Sequence, residues 1–427
     1  MASFPILLAR SVREWRTKTL EDLLQSRYLQ VFGGLLSFAF VLLSAYWWQY
    51  GFANVFSNEV EPICWAFFRD CSVLRPFDQN QLLVFFGIYA VCGVFVSTLF
   101  FKTNATRARL ASGLIGLGIL LLIAIVIVAS DYRARLNQNL MILFVTLSFL
   151  FSSRRKADLG FVIISFYFWA GLLKFDPEWL SGAAIYKPLW MIPESLNSLA
   201  AKYVLFLELI VVWGLLSKSR VIFGLSIFQF ALFHLVSLSV VGFFYPALMA
   251  VLLSFFVLRF FYSDRANWVK PSFAGAVILS IITTFNLIPK FQSGEPKLNG
   301  EGRVLGFHMF DSVTLCDATA TLNFKTRPPE VKDLRIPAVV RIRCDPAVFL
   351  SRARNICRER KDSDDFIDLD LFLQVWPSQL KTGNLRSQPK KSKVIDYKSF
   401  CASDPDYSLL GFNDWILKSP PSFSPSN

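Results

Sequence analysis

Apolar residues fall in long unbroken runs over the first two thirds of the chain. Nine runs stand out, at 29–50, 81–101, 109–130, 137–152, 158–174, 199–217, 221–241, 245–262 and 271–289. A helix of roughly 20 apolar residues crosses a bilayer, so each run reads as a transmembrane helix. The fourth is short and reads as tilted or buried. After residue 290 the pattern changes to short alternating stretches among Lys, Arg, Asp and Ser. Thr319–Lys325, Pro337–Cys344 and Asp368–Trp376 alternate with period two and predict strands. Val348–Lys361 predicts a helix, and Lys381–Lys393 a basic loop. The expected fold is an all-α polytopic membrane bundle of about nine transmembrane helices, with a small extracytoplasmic α+β C-terminal domain. Four segments result: a basic cytoplasmic N-terminal segment at 1–28, the transmembrane domain at 29–289, the α+β domain at 290–415, and a Ser- and Pro-rich disordered tail at 416–427.

Composition agrees. Of 427 residues, 54% are hydrophobic and only 18% charged, against about 25% charged in soluble domains. The net charge of +13 does not point to nucleic acid, because the basic residues sit mostly in short loops between apolar runs. Arg10, Arg13, Arg16, Lys18 and Arg27 precede the first run. Lys102, Arg107 and Arg109, then Arg154, Arg155 and Lys156, then Lys218 and Arg220, then Arg259, Arg265 and Lys270 fall on the same side. The intervening loops carry fewer. The positive-inside rule places the N-terminus in the cytoplasm. An odd number of spans then puts the C-terminal domain outside. No small-residue cleavage site follows the first run, which reads as a retained span.

Cys64, Cys71, Cys316, Cys344, Cys357 and Cys401 all fall on the predicted outer side, and Cys92 within a span. Six cysteines in an oxidising compartment allow three disulfides. Cys64 and Cys71 could close a small loop on each other. The other pairings stay open.

Candidate chemistry gathers in the outer half of the membrane. Lys174 ends an apolar run, with Tyr167 and Gly171 on the same helical face. Ala170 and Gly171 allow another backbone to approach. Most lysines at such positions snorkel to the interface. One held in apolar surroundings could instead serve as a neutral base. Glu208 and His234 lie at similar depth in the sixth and seventh runs, where they could face each other; an intramembrane carboxylate is costly unless paired or protonated. Asn139 opens the fourth run beside Asn137 and Gln138, and Tyr245 follows an outer turn. Only two histidines occur, His234 and His308, so no multi-histidine metal site is expected.

The run Phe168, Trp169, Ala170, Gly171, then Lys174, Phe175, Asp176, Trp179 and Gly182 resembles the HTTM family of membrane proteins, which includes the vitamin K-dependent γ-glutamyl carboxylases. Leu232 to His234 with Gly242 to Pro246, and Asp345 to Phe349, Leu369 to Trp376 and Cys401 to Pro405, match in the same order. The resemblance covers about residues 25 to 405. It implies a reduced vitamin K or menaquinol as cofactor, O₂ and CO₂ as co-substrates, no metal, and Lys174 as the base that deprotonates the hydroquinone. His234 and Asn139 become further catalytic candidates, with Tyr167, Gly171, Glu208 and Tyr245 near the cofactor. The implied substrate is a glutamyl peptide or small acid at the outer face. Asn139 stands where the family enzyme has a histidine, Leu173 where a second lysine is frequent, and the tail is shorter than the carboxylase's propeptide-binding region requires. The alternative is a non-carboxylating HTTM protein that assists maturation or export of a secreted peptide, or a lipid- or quinone-binding scaffold. A channel or transporter would show internal repeats or interrupted helices.

Overall fold

The computed structural model describes residues 19–104, 106–185, 187–190, 192–262, 270–292, 299–307, 314–335, 342, 344–377 and 391–417. The apolar runs become helices α1 (Arg27–Gln49), α2 (Gln79–Phe101), α3 (Arg107–Ser130), α4 (Asn137–Phe151), α5 (Arg155–Leu173), α6 (Asn197–Leu209), α7 (Arg220–Val241), α8 (Phe244–Phe261) and α9 (Phe273–Phe291). Eight spans are long and apolar enough to cross a membrane; that of α6 extends from Glu194 to Leu216 through flanking 3₁₀ turns. The ninth, α4, has 15 residues. At 1.5 Å per residue it reaches about 22 Å, short of the roughly 30 Å hydrocarbon core. Among the described residues the nine expected spans are therefore eight long helices and one short one, the fourth, in line with the short fourth run. α4 is buried on nearly all sides and packs against α1, α3, α5, α8 and α9, so it is a central strut with little need to match the membrane's thickness.

Local signals set the helix starts. Asp78 and Gln81 form a capping box at α2: the Gln81 amide donates to the Asp78 carboxylate at 2.8 Å and the Asp78 amide to Gln81 Oε1 at 3.1 Å. Such a box satisfies two amides that the helix itself cannot. Asp158, inside the first turn of α5, caps α9 by accepting from the Ser272 amide at 2.9 Å and from the hydroxyls of Ser152 and Ser272. Arg155, expected as a loop charge, is buried and donates to the Phe149 carbonyl and the Thr19 hydroxyl. Of the segment at 1–28, residues 19–25 are helical; 1–18 lie outside the described residues.

The C-terminal region is a four-stranded antiparallel sheet in the order β2-β1-β3-β4, with β1 at Thr314–Phe324, β2 at Glu330–Asp333, β3 at Phe366–Pro377 and β4 at Ser392–Tyr397. Ala318, Ala320 and Leu322 of β1, with Leu371, Leu373 and Val375 of β3, form the buried side. Helix α10 (Pro346–Arg360) packs against β3. Asp345 caps it by accepting from the Ala347 amide, and Pro346 opens its first turn. Two expected strands are present. For the third, Pro337–Cys344, residues 336–341 and 343 lie outside the described residues, and Ile342 and Cys344 occupy turns. β2 and β4 were not expected. Most of the basic loop and residues 418–427 also lie outside the described residues.

Three disulfides form: Cys64–Cys71, Cys316–Cys344 and Cys357–Cys401. The first closes the loop between α1 and α2, and that loop grips α10. The Cys64 amide donates to Ser351 Oγ at 2.8 Å, and Asn355 donates to Glu61 and to the Pro62 carbonyl. Between α3 and α4, the Tyr132 hydroxyl donates to Asp345 Oδ2 at 2.6 Å, while Arg135 donates to the carbonyls of Val304 and Gly306. The small domain thus sits on the end of the bundle where α1 and α3 finish and α2 and α4 begin. α5 finishes at the same end, and with it Lys174.

Candidate functional site

Helix α5 runs out at Leu173, and Lys174 is its C-terminal cap. Its side chain does not snorkel. The ammonium is 3% exposed and lies 2.6 Å from both carboxylate oxygens of Glu208, itself 2% exposed. The ammonium also lies 5.4 Å from the Trp179 ring centre, within range of a cation–π contact. Gly171 makes this pairing possible. A Cβ there would stand 2.9 Å from Glu208 Cβ and 3.1 Å from the Leu209 side chain. Only a hydrogen lets α6 come close enough to α5 for the carboxylate to meet the lysine one turn on.

Glu208 lies one residue from the end of α6. Beyond Ile210 the chain continues as 3₁₀ turns, Val211–Leu216. A change of helix type within an apolar span commonly marks a functional position. The turn at Gly182, with φ of +79°, folds the preceding segment back against α6. There Trp179 donates to the Ala201 carbonyl and Ser198 to the Leu180 carbonyl.

Lys174 and Glu208 line a cavity of ≈ 500 Å³ between α6 and α7, roofed by Ala184, Ile185, Leu189 and Ile192. α6 supplies a stripe at helical spacing, Leu196, Leu199, Ala200, Tyr203 and Val204, that ends in Glu208. α7 faces it with Leu232, Phe233, Val236, Ser237 and Val240. Tyr203 donates to Gln229 Oε1 at 2.8 Å across the gap between the two helices. Leu199, Tyr203 and Leu232 are exposed on the apolar flank of the bundle, so the cavity meets whatever surrounds the helices.

The expected site residues separate into three groups. Lys174, Glu208 and Tyr245 line the cavity, and Gly171 shapes it. Tyr167 and His234 sit behind it as a second buried pair, Tyr167 Oη 2.7 Å from His234 Nε2; His234 Nδ1 has no hydrogen-bond partner. His234 therefore faces Tyr167, and Glu208 faces Lys174. The anticipated Glu208–His234 contact does not form. Asn139 is buried but does not line the cavity. It donates to the Ala134 carbonyl at 2.9 Å, and its Oδ1 has no partner. Trp179, named only as part of the motif, also lines the cavity, and Tyr203 and Gln229 are cavity residues that sequence reasoning did not single out. An aromatic and an amide inside apolar runs were the available signal.

Fold and site together define a polytopic helical protein whose lipid-length helices enclose an ion pair at an apolar cavity, under a disulfide-bonded β domain. The chain matches no known protein family, no curated protein and no solved structure.

Proposed function

We propose that the protein is an HTTM-type, carboxylase-like membrane enzyme that binds a reduced quinone, vitamin K hydroquinone or menaquinol, in the cavity between α6 and α7. The observation that carries this reading is the burial of Lys174 beside an apolar cavity open on the bundle's flank. A site of this size falls within the range of about 300–1,000 Å³ for small-molecule sites. Its chemistry suits the ligand: the apolar stripes of α6 and α7 would hold a ring and an isoprenoid tail, and Lys174 with Glu208 would hold an acidic hydroxyl. Reacting with O₂, a bound reduced quinone supplies a base strong enough to lift a carbon-bound proton from a glutamyl side chain, which no amino-acid side chain can do. The chain's own part is to orient that hydroxyl, take its proton and exclude water. CO₂ would then be the co-substrate, and a glutamyl peptide or small acid the acceptor.

The three disulfides support an oxidising compartment for the end that carries the cavity and the β domain. The proposed orientation therefore keeps the N-terminus cytoplasmic and the C-terminal domain outside.

The test is quinol turnover. Purified protein is given reduced vitamin K or menaquinol with O₂ and bicarbonate, and quinone epoxide is measured beside Lys174→Ala. Epoxide that depends on Lys174 is the expected result. Its absence with folded protein and several quinols would reject quinol chemistry. One observation favours a second reading. Asn139, where the family enzyme has a histidine, lies off the cavity. A protein that binds quinone or lipid without carboxylating would bind the quinol saturably and yield neither epoxide nor carboxylated peptide.

A further inference from the structure

With Lys174 and Glu208 sharing a proton, either of the two could hold the proton that a bound hydroxyl gives up. The inference here deepens the proposed function and rests on its premise that the cavity takes a ligand with an acidic hydroxyl. We infer that Glu208 is the final proton acceptor of the site, and that Lys174 remains an ammonium to balance the ionised ligand oxygen.

Lys174 Nζ lies 2.6 Å from each oxygen of Glu208, and both side chains are buried. The pair can be written as ammonium and carboxylate or as amine and carboxylic acid. The two forms differ only in the position of one proton along a hydrogen bond, and both have zero net charge. A ligand hydroxyl then gives up one proton. If the carboxylate takes it, the site holds ammonium and carboxylic acid. If the amine takes it, the amine form already had its acid on Glu208, and the site again holds ammonium and carboxylic acid. Both routes break the ligand's O–H bond, leave its electron pair on oxygen and end with a new O–H bond on Glu208 relative to the ion pair. Lysine cannot be the net acceptor while Glu208 shares its proton.

Charge balance allows this end state. Ammonium, carboxylic acid and ligand anion sum to zero, so ionisation creates no net charge in an apolar site, where an unpaired charge is costly. The other nearby titratable groups, Tyr167 and His234, are engaged with each other at 2.7 Å and do not line the cavity. Tyr203 and Tyr245 line it, but as phenols they are weaker proton acceptors than a carboxylate.

The probe is 1-naphthol, which carries the acidic hydroxyl but cannot be turned over as a quinol. It is added to purified full-length protein in nanodiscs and followed by ultraviolet absorption and infrared difference spectroscopy. The expected result is the long-wavelength naphtholate band together with a new carboxylic-acid C=O stretch. Glu208→Asp should shift that stretch, and Glu208→Gln should abolish it. In Lys174→Met, Glu208 is protonated before ligand is added, so naphthol binds without ionising and no new stretch appears. The Glu208→Asp shift assigns the stretch to residue 208 even if Glu208→Gln does not fold. Naphtholate without a carboxylic-acid stretch, or bound naphthol that stays neutral in wild-type protein, overturns the inference while the cavity stays a binding site. No naphthol binding at all overturns the cavity reading itself.

Discussion

At the scale of residues, the molecule's unusual feature is a lysine and a glutamate buried together. Removing one partner of a buried pair leaves the other to stay charged without a counter-ion or to neutralise at a cost, and costs roughly 3–5 kcal/mol, whereas replacing both with apolar residues of similar size is often neutral. Lys174→Met and Glu208→Leu should each lower the melting temperature in detergent. The double variant should recover most of that loss, and both singles and the double should lose naphthol ionisation. Additive losses in the double variant would show that the two do not act as a pair. A second residue-scale prediction concerns Asp345, outside the helices. Burial raises its carboxyl above the ordinary range, against the opposing pull of Arg135, the Tyr132 hydroxyl, the Ala347 amide and Arg303. The folded protein therefore holds this proton at pH values where the unfolded chain has lost it. The stability that follows is complete below the ordinary carboxylate value of 3.8 and is lost as pH rises through the raised value. Melting temperature should fall with rising pH across that window, and Asp345→Asn should flatten the decline. Lys174, Glu208 and His234 were legible in the sequence because charged and titratable groups inside apolar runs need a reason. Their partners were not. Pairing depends on how each helix is rotated about its axis, and that rotation is set by Gly171 against Glu208, which hydropathy does not encode.

At the scale of elements, hydropathy located eight of the nine helices to within a few residues, because a bilayer-length apolar run has few other uses; the sixth run continues past the end of α6 into 3₁₀ turns. Hydropathy could not decide between a tilted and a buried α4, since a central helix and a lipid-facing one are equally apolar. β1, β3 and α10 were visible through alternation and a clean cap. β2 was not, because every residue of Glu330–Asp333 is exposed and no alternation survives. β4 was not, because a register irregularity beside Leu373 breaks its pattern of buried positions. Glycine offers the element-scale test. Gly171→Ala puts a methyl group against Glu208 Cβ, which is not the movable end of a side chain. It should push α6 from α5, lower the melting temperature and weaken naphthol binding. Gly118→Ala in α3 meets nothing within 4 Å and should leave both unchanged or slightly raise stability through helix propensity. Equal effects at the two glycines would argue against a close-approach role for Gly171.

At the scale of the whole molecule, the β domain and the bundle are joined by hydrogen bonds from two inter-helix segments, α1–α2 and α3–α4. The Cys357–Cys401 bridge ties α10 to the turn after β4. Losing a native disulfide typically costs about 2–5 kcal/mol. Cys357→Ser with Cys401→Ser should therefore lower stability measurably, read as a lower melting temperature and faster proteolysis of the β domain. Compartment is a separate question. If the orientation is as proposed, a tag fused after residue 427 should be cleaved by protease added to intact cells, and an N-terminal tag should be protected. The reverse pattern would overturn the orientation.

The grip of the Cys64–Cys71 loop on α10 sets an order for biosynthesis. The loop is translated and can oxidise early, since its two cysteines are seven residues apart. Its docking partner, Ser351, follows 287 residues later. Ile63 and Trp65 find partners as soon as α3 follows, in Asp131 and Val128, but the surface formed by Glu61, Pro62 and Cys64 waits for α10 through the insertion of every remaining helix. A chain stopped before the β domain would keep that surface bare, a mark by which quality-control proteases could tell an unfinished molecule from a complete one.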